Sequence, residues 1–337
     1  MTATTSMTMS NEWARAVKVI DGASQVCLAC HVRPDADALG SMLAVLHALR
    51  RRPDGAPTVI ASFGDEPFEI PAILRFLPGI ELLTAPANYP ARPEVMLSLD
   101  AASVDRLGAL TGPAIAADEL IVLDHHASNT RFGSINLVDP TAAATAVLAS
   151  NLIDRLGISL TEPIALGLYA GLVTDTGSFK FSSTTPRVHE LAARLLATGI
   201  DPGVVSRELY DRAPFTYLGL LSAALRRAVL EVHAARGLGL VWTTVTRADR
   251  AHAALPLDAA ESVIDEIRRT DEAEVAVVLK EDDGGVWQVS LRSKSVVDVA
   301  AIATALGGGG HARAAGFSHS GEEGAAIRAV RELLDRA

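Results

Sequence analysis

Cysteine, aromatic residues, long apolar runs and surplus positive charge are all scarce in this sequence. There are two cysteines, Cys27 and Cys30. No second cysteine pair exists, which argues against a structural zinc site. With the next residue they spell Cys27-Leu-Ala-Cys30-His31, a haem-attachment pattern. The string lies in an apolar run, however, and residues three apart on a strand face opposite sides. The expectation is two small buried side chains in a central strand. No apolar run reaches the roughly 18 residues of a membrane span. Residues 1–15 carry neither a basic start nor an apolar segment, so no signal peptide is expected and the expected compartment is the cytoplasm. Thirty Lys and Arg stand against 40 Asp and Glu, a net charge of -10, so non-specific binding to a long duplex is disfavoured. A small phosphorylated ligand held by local cations or metal ions remains open. Aromatic residues make up only 4%, too few for a long stacking platform, which favours a substrate with one or two bases.

What is present is ample apolar residue, 49% of 337 positions, enough for sizeable cores in a soluble protein. At about 150 residues per domain this length predicts two domains. Residues 1–10 are polar and expected to fray, with a short helix over 11–20. The near-continuous apolar run at 26–30 predicts a buried parallel strand, and further strands are expected at 58–63, 94–99 and 120–123. Helices are expected from the loop at 31–37 to about 51, over 69–77, over 141–156 and over 163–173, with a turn at 53–57. This alternation predicts a doubly wound parallel sheet. Thr185-Pro186 and Asp201-Pro202 are helix starts, so 185–230 is read as largely helical. The pattern then restarts, with strands at 238–245, 275–279 and 286–291. Helices are expected over 257–269, from Asp298 to Leu306, and from Glu322 onward. The resulting fold class is α/β: an N-terminal doubly wound parallel-sheet domain over residues 12–186, a helical linker over 187–230, and a smaller C-terminal α/β domain over 231–337.

Four places in the first domain put acids or imidazoles at the end of a strand or helix. They are His31/Asp35/Asp37, Asp100, Asp124/His125/His126, and Asp175. One such aspartate is ordinary loop chemistry. In a doubly wound sheet, however, the strand ends share an edge, where ligands bind. Several aspartates and histidines gathered there repel one another and desolvate poorly unless a cation is bound. Mixed carboxylate and imidazole donors suit a divalent ion of intermediate hardness, manganese better than magnesium.

These residues carry a resemblance. His31-x3-Asp35-x-Asp37-x2-Gly40-Ser41, the strand-end Asp100, Asp124-His125-His126-x-Ser128-Asn129 and Thr174-Asp175-Thr176-Gly177 resemble the four motifs of the DHH phosphoesterase superfamily. Gly307-Gly-Gly-Gly-His311-Ala-Arg313-Ala-Ala-Gly316-Phe317 resembles the glycine-rich signature of the DHH-associated domain. The size and short linker look most like the bacterial oligoribonuclease (nanoRNase) and pAp phosphatase branch, and the Ala- and Arg-rich composition fits members that cleave cyclic di-AMP. The resemblance implies two Mn²⁺ ions per chain, with Mg²⁺ or Co²⁺ as substitutes. One would be held by His31, Asp35 and Asp100, the other by Asp37, Asp100, His125 and Asp175, with Asp100 bridging. Two ions about 3.5–4 Å apart can share and acidify a water for in-line attack on phosphorus. His126 is then expected to face the phosphate as a donor or general acid, and Asp124 to orient an imidazole. The implied activity is hydrolysis of short oligoribonucleotides and dinucleotides such as pApA to mononucleotides, with cyclic di-AMP and pAp as further candidates. The alternatives are a pyrophosphatase or polyphosphatase of the same superfamily, or a cyclic-nucleotide sensor without turnover. A homodimer is expected by analogy.

The second domain is expected to supply the substrate end. Gly308, Gly309 and Gly310 would let backbone N–H groups approach a phosphate. His311 and Arg313 follow directly, and Arg292-Ser293-Lys294 ends a strand with two cations. No Lys-Ser/Thr follows the glycines and they hold no Gly-x-Gly-x-x-Gly register, so neither a P-loop nor a dinucleotide fold is indicated. His47, His189, His233, His252 and the Arg50-Arg51-Arg52 run are read as ordinary core or surface residues.

Overall fold

Strand β1 (Gln25–Cys30) forms the centre of the N-terminal sheet because every residue after Gln25 is apolar and buried. In the computed structural model, which describes residues 3–52 and 56–336, it lies between β2 (Thr58–Phe63) and β3 (Val95–Leu99). With β4 (Glu119–Asp124) and β5 (Ile135–Val138) they form a fully parallel sheet in the order β2-β1-β3-β4-β5. The order reverses between β1 and β3, so the crevice that binds ligands in such sheets opens at the carboxyl ends of those two strands. Residues 53–55 of the expected turn lie outside the described residues.

The two sheet faces are covered unequally. On one lie α1 (Ala3–Gly22), α2 (Ala36–Arg50), α4 (Thr145–Arg155) and α5 (Glu162–Asp175), which bury Leu28, Leu97, Ile121 and Leu137. The other carries the 3₁₀ turns over Val104–Leu110 and the short α3 (Thr111–Ala116), over Met96 and Val122. Cys30 belongs to the first core and Cys27 to the second, both fully buried. The haem pattern therefore dissolves into alternation along a strand.

Several expectations change. Of the residues expected to fray, 1–2 lie outside the described residues and 3–10 belong to one helix, Ala3–Gly22. The helix expected over 69–77 is only a 3₁₀ turn at Ala72–Leu74, between Pro71 and Pro78. The helix expected from residue 141 starts at Thr145, because Asp139 accepts from both the N–H and the hydroxyl of Thr141 and makes a turn of that segment. β5 is an addition.

Helices α6 (Pro186–Leu196) and α7 (Pro202–Tyr210) join the first core through Leu191, Leu195, Val205 and Leu209. The chain divides into two units between Arg212 and Ala213. The second begins with α8 (Tyr217–Arg226), whose Leu220 and Ala224 enter a separate core. Its sheet runs β10 (Gly309–His311), β11 (Ala314–Ser320), β9 (Val286–Ser293), β8 (Val275–Glu281), β7 (Leu240–Val245), β6 (Val229–Glu231). Only β7 and β8 are parallel. The predicted hairpin is β8–β9, and Asp298 caps the helix Val299–Ala305 by accepting from the N–H groups of Ala300 and Ala301. The helix expected over 257–269 shrinks to Val263–Ile267 after a 3₁₀ turn at Asp258–Ala260. An unexpected helix, Arg247–Ala253, carries a legible signal, the capping box of Thr246 and Asp249. No helix among the described residues is long and apolar enough to cross a membrane.

Candidate metal centre

The carboxyl ends of β1, β3 and β4 deliver His31, Asp100, and the Asp124-His125-His126 triplet to one edge. Asp35 is the N-cap of α2, its Oδ1 accepting from Asp37 N at 3.1 Å and Ala38 N at 3.0 Å. Asp37 sits in the first turn of α2, and Asp175 is the last residue of α5. Asp100 adopts a left-handed backbone (φ 58), a strained position of the kind that gathers at functional sites.

Among the described residues three donor clusters share Asp100: one with Asp124 and His126, and two that contain the expected metal ligands. Asp100 Oδ2 lies 3.6 Å from His31 Nε2, which is 3.9 Å from Asp35. Its Oδ1 lies 3.6 Å from His125 Nε2, which is 3.8 Å from Asp37 and 3.2 Å from Asp175. Within each of the sets His31/Asp35/Asp100 and Asp37/Asp100/His125, one donor atom per residue lies within 4.8 Å of the others. One carboxylate thus offers an oxygen to each of these two clusters. Both imidazoles are oriented alike: His31 Nδ1 is 2.9 Å from Val32 O and His125 Nδ1 is 3.2 Å from Ala142 O. A carbonyl can only accept, so each Nδ1 facing it carries a hydrogen and each Nε2 would be the nitrogen turned to a metal, the arrangement usual for metal-bound histidine.

The donor set fits a divalent ion. Burial, then the charges of Asp100 and Asp175, push Asp37 well above the usual carboxylate range. Burial likewise raises Asp175 to about 6 against the pull of His125. Burial opposes ionisation of Asp100, yet contact with His31 and the charges of all three imidazoles hold its carboxyl low. For His31, burial is outweighed by Asp100 and Asp35, which raise it to about 9. In the metal-free centre protons on Asp37 and His31 offset the negative charge of the other acids, and a divalent cation would displace them. His31 and Asp175 both bind protons more tightly folded than unfolded. The stability they add is therefore present in full at low pH and lost as pH rises through about 6 for Asp175 and about 9 for His31. Metal-free protein should lose up to about 3 kcal/mol between pH 6.5 and 9 from His31 alone. Denaturant melts at pH 6.5, 8 and 9 with a chelator check this, and added Mn²⁺ should flatten the trend.

Asp124 takes a different part. It is fully buried, its Oδ1 is 2.7 Å from His126 Nδ1, and its Oδ2 accepts from Asn129 Nδ2 at 2.6 Å. Both oxygens are thus engaged in orienting neighbours. Replacing Asn129 by alanine should lower kcat about 10- to 100-fold by loosening this pair, with Mn²⁺ affinity nearly unchanged. Calorimetric titration beside steady-state kinetics separates the two quantities.

Two contributors carry no motif signal. Helix α4 has no capping side chain at Ala144, and Asp37 serves instead, accepting from Thr145 N at 2.6 Å and Ala146 N at 2.9 Å. The Thr145 hydroxyl donates to Asp100 Oδ1 at 2.8 Å. Gly171 of α5 packs on Asp37, where a Cβ would fall 2.5 Å from Oδ1 and 2.8 Å from Cα.

The residues expected to meet substrate lie in the second unit. Gly307 and Gly308 close the helix Val299–Ala305, donating to Thr304 O and Ala303 O. Gly309, Gly310 and His311 form β10, paired on one side with β11, so the glycine run is half helix end and half edge strand rather than a loop. Ser293 is buried and donates to Val297 O, Arg313 donates to the same carbonyl, and Lys294 donates to Thr270 O. Arg292 differs. It is half-buried beside Ser290 and Gln288 on the polar face of β9, it donates to Leu291 O at 3.0 Å, and no carboxylate among the described residues is within ion-pair distance. Burial lowers the pKa of its guanidinium, with the charges of Asp265 and Glu261 opposing.

Comparison with known proteins agrees with this geometry. Residues 25–172 match the DHH family, N-terminal domain, and residues 244–336 match the DHHA1 domain. The chain is 35% identical to the bifunctional oligoribonuclease and PAP phosphatase NrnA of Thermus thermophilus, over 96% of this chain and 94% of that one. It is 28% identical to the cyclic-di-AMP phosphodiesterase GdpP of Bacillus subtilis over 65% of this chain and 32% of the relative. A crystal structure of an exopolyphosphatase-related protein from Bacteroides fragilis shares the fold, with TM-score 0.83, 22% identity, and 97% and 96% of the two chains covered.

Proposed function

We propose, from the premise that this chain belongs to the DHH family and carries a DHHA1 domain after its DHH domain, that it is a manganese-dependent phosphodiesterase acting on short nucleotides. Its substrates on this reading are short oligoribonucleotides and dinucleotides such as pApA, with cyclic di-AMP as a further diester and pAp as a monoester. The observation that carries the reading is Asp100, one carboxylate with an oxygen facing each of two donor clusters. His31, Asp35 and Asp100 would hold one ion, and Asp37, Asp100, His125 and Asp175 the other. Bound there, two divalent ions supply Lewis-acid stabilisation of phosphoryl oxygens and a water of lowered pKa.

The chain's own groups do the rest. The backbone carbonyls of Val32 and Ala142 fix the two ligating imidazoles. His126 has Nδ1 committed to Asp124, so any proton it gives to a phosphoryl oxygen or leaving group leaves from Nε2. In the second domain, taken as residues 231–337 behind a linker at 187–230, Arg292 is the group suited to a second phosphate, because a half-buried guanidinium with no carboxylate at ion-pair distance among the described residues gains most from an anion. Replacing Arg292 by glutamine should raise KM for pApA about tenfold or more, the loss of a charged hydrogen bond worth about 1.5–3 kcal/mol, with Mn²⁺ binding unchanged.

The test is a panel of pAp, pApA, cyclic di-AMP, a short RNA and pyrophosphate, ranked by kcat/KM with Mn²⁺. The expected result is turnover of pApA and short RNA far above pyrophosphate. Pyrophosphate as the best substrate, or tight cyclic-dinucleotide binding with no product, would overturn the reading.

A further inference from the structure

We propose that Thr145 is a positioning residue for the metal centre, its hydroxyl fixing the bridging carboxylate of Asp100 and its backbone N–H fixing Asp37. The inference rests on the metal-centre reading above.

Thr145 is fully buried at the first position of α4. Its Oγ1 donates to Asp100 Oδ1 at 2.8 Å and its N–H donates to Asp37 Oδ2 at 2.6 Å. Those two acids belong to one cluster, with His125. A single residue therefore sets the orientation of two acids contributed by β3 and α2, elements far apart in sequence. Asp37 is also held by Ala146 N at 2.9 Å and by the Ser41 hydroxyl at 3.2 Å, so its orientation has two supports besides the Thr145 N–H. Among the described residues, Thr145 supplies the one side-chain hydroxyl that donates to Asp100. Without that donor Oδ1 faces the imidazoles of His125 at 3.6 Å and His126 at 3.7 Å, so the carboxylate is held less firmly about its Cβ–Cγ bond and the division of one oxygen to each cluster is loosened. Partners that orient metal ligands typically contribute 10- to 100-fold to metal affinity. The hydroxyl touches neither ion nor substrate on this account, and it acts through Asp100.

The experiment titrates metal-free protein with Mn²⁺ by calorimetry, comparing wild type with Thr145→Val, Thr145→Ser and Thr145→Ala, and records melting of each metal-free variant. Valine keeps the shape and the N–H to Asp37 but removes the hydroxyl. Expected are two ions in wild type, about 10- to 100-fold weaker binding of at least one ion in the valine variant, and recovery to within a few-fold in the serine variant. Valine binding equal to wild type, or serine as weak as valine, would overturn the role of the hydroxyl. If the valine variant does not fold, the serine and alanine variants carry the same contrast. Wild type binding no Mn²⁺ would instead defeat the metal-centre reading itself, which keeps the two failures apart.

Discussion

Asp100→Asn should bind fewer than two Mn²⁺ per chain and lose about 1,000-fold or more in kcat/KM on pApA. Asparagine matches aspartate in shape, and its carbonyl can still accept from Thr145, so the fold should persist. It cannot offer an anionic oxygen to each cluster, because one of its two terminal atoms is now an NH₂ donor. Metal-based charge stabilisation is worth several kcal/mol in the transition state, and a loss of about 4 kcal/mol is about a thousandfold in rate. Metal counting by calorimetry or atomic emission, together with steady-state kinetics, checks both parts. Two tightly bound ions with near-normal turnover would remove Asp100 from its bridging place.

Gly40→Val should be the most destabilising single change near the site. Gly40 of α2 faces Gly167 of α5, and a Cβ on Gly40 would fall 2.3 Å from the Gly167 carbonyl oxygen. The reciprocal contact is no better, since a Cβ on Gly167 would meet the Gly40 oxygen at 2.5 Å. Both obstacles are backbone, which cannot turn aside as a side chain can. The helix-propensity gain on leaving glycine is below about 1 kcal/mol, whereas overpacking of this kind costs about 3 kcal/mol or more. The helices must then separate, and they carry Asp37 and Asp175. Melting should fall by about 6–12 °C, and Mn²⁺ should bind more weakly in whatever folds. Gly40→Ala should show a smaller effect of the same sign. An unchanged melting temperature for the valine variant would mean the helices do not cross as closely as described.

The parts of this site legible in the sequence are those governed by local pattern. β1, β3 and β4 are short and largely apolar, as buried parallel strands are, and the acids and imidazoles at or just beyond their carboxyl ends fall where such strands stop. The opposite facing of Cys27 and Cys30 follows from strand alternation alone. What stayed hidden is whatever depends on a partner distant in the chain. Thr145 reads as an ordinary helix start, because nothing local reveals that Asp37 and Asp100 accept from it. Gly167 and Gly171 read as neutral residues in an apolar helix until α2 is laid across them. β5, only four residues long, is a strand chiefly because β4 offers it an edge. The segment over 69–77 misleads in the other direction: Ile70, Phe76 and Leu77 look helical, yet the prolines at 71 and 78 leave room for one turn. In the second unit the motif named a group of residues, and only the hydrogen bonds separate Arg292 from Ser293 and Arg313, whose polar atoms hold Val297.

The most direct measurement is anomalous diffraction at the manganese edge from crystals grown with Mn²⁺. The account predicts two peaks about 3.5–4 Å apart, one on each side of Asp100, the first beside His31 and Asp35 and the second beside Asp37, His125 and Asp175. A single peak, or two peaks that do not share Asp100, would contradict it.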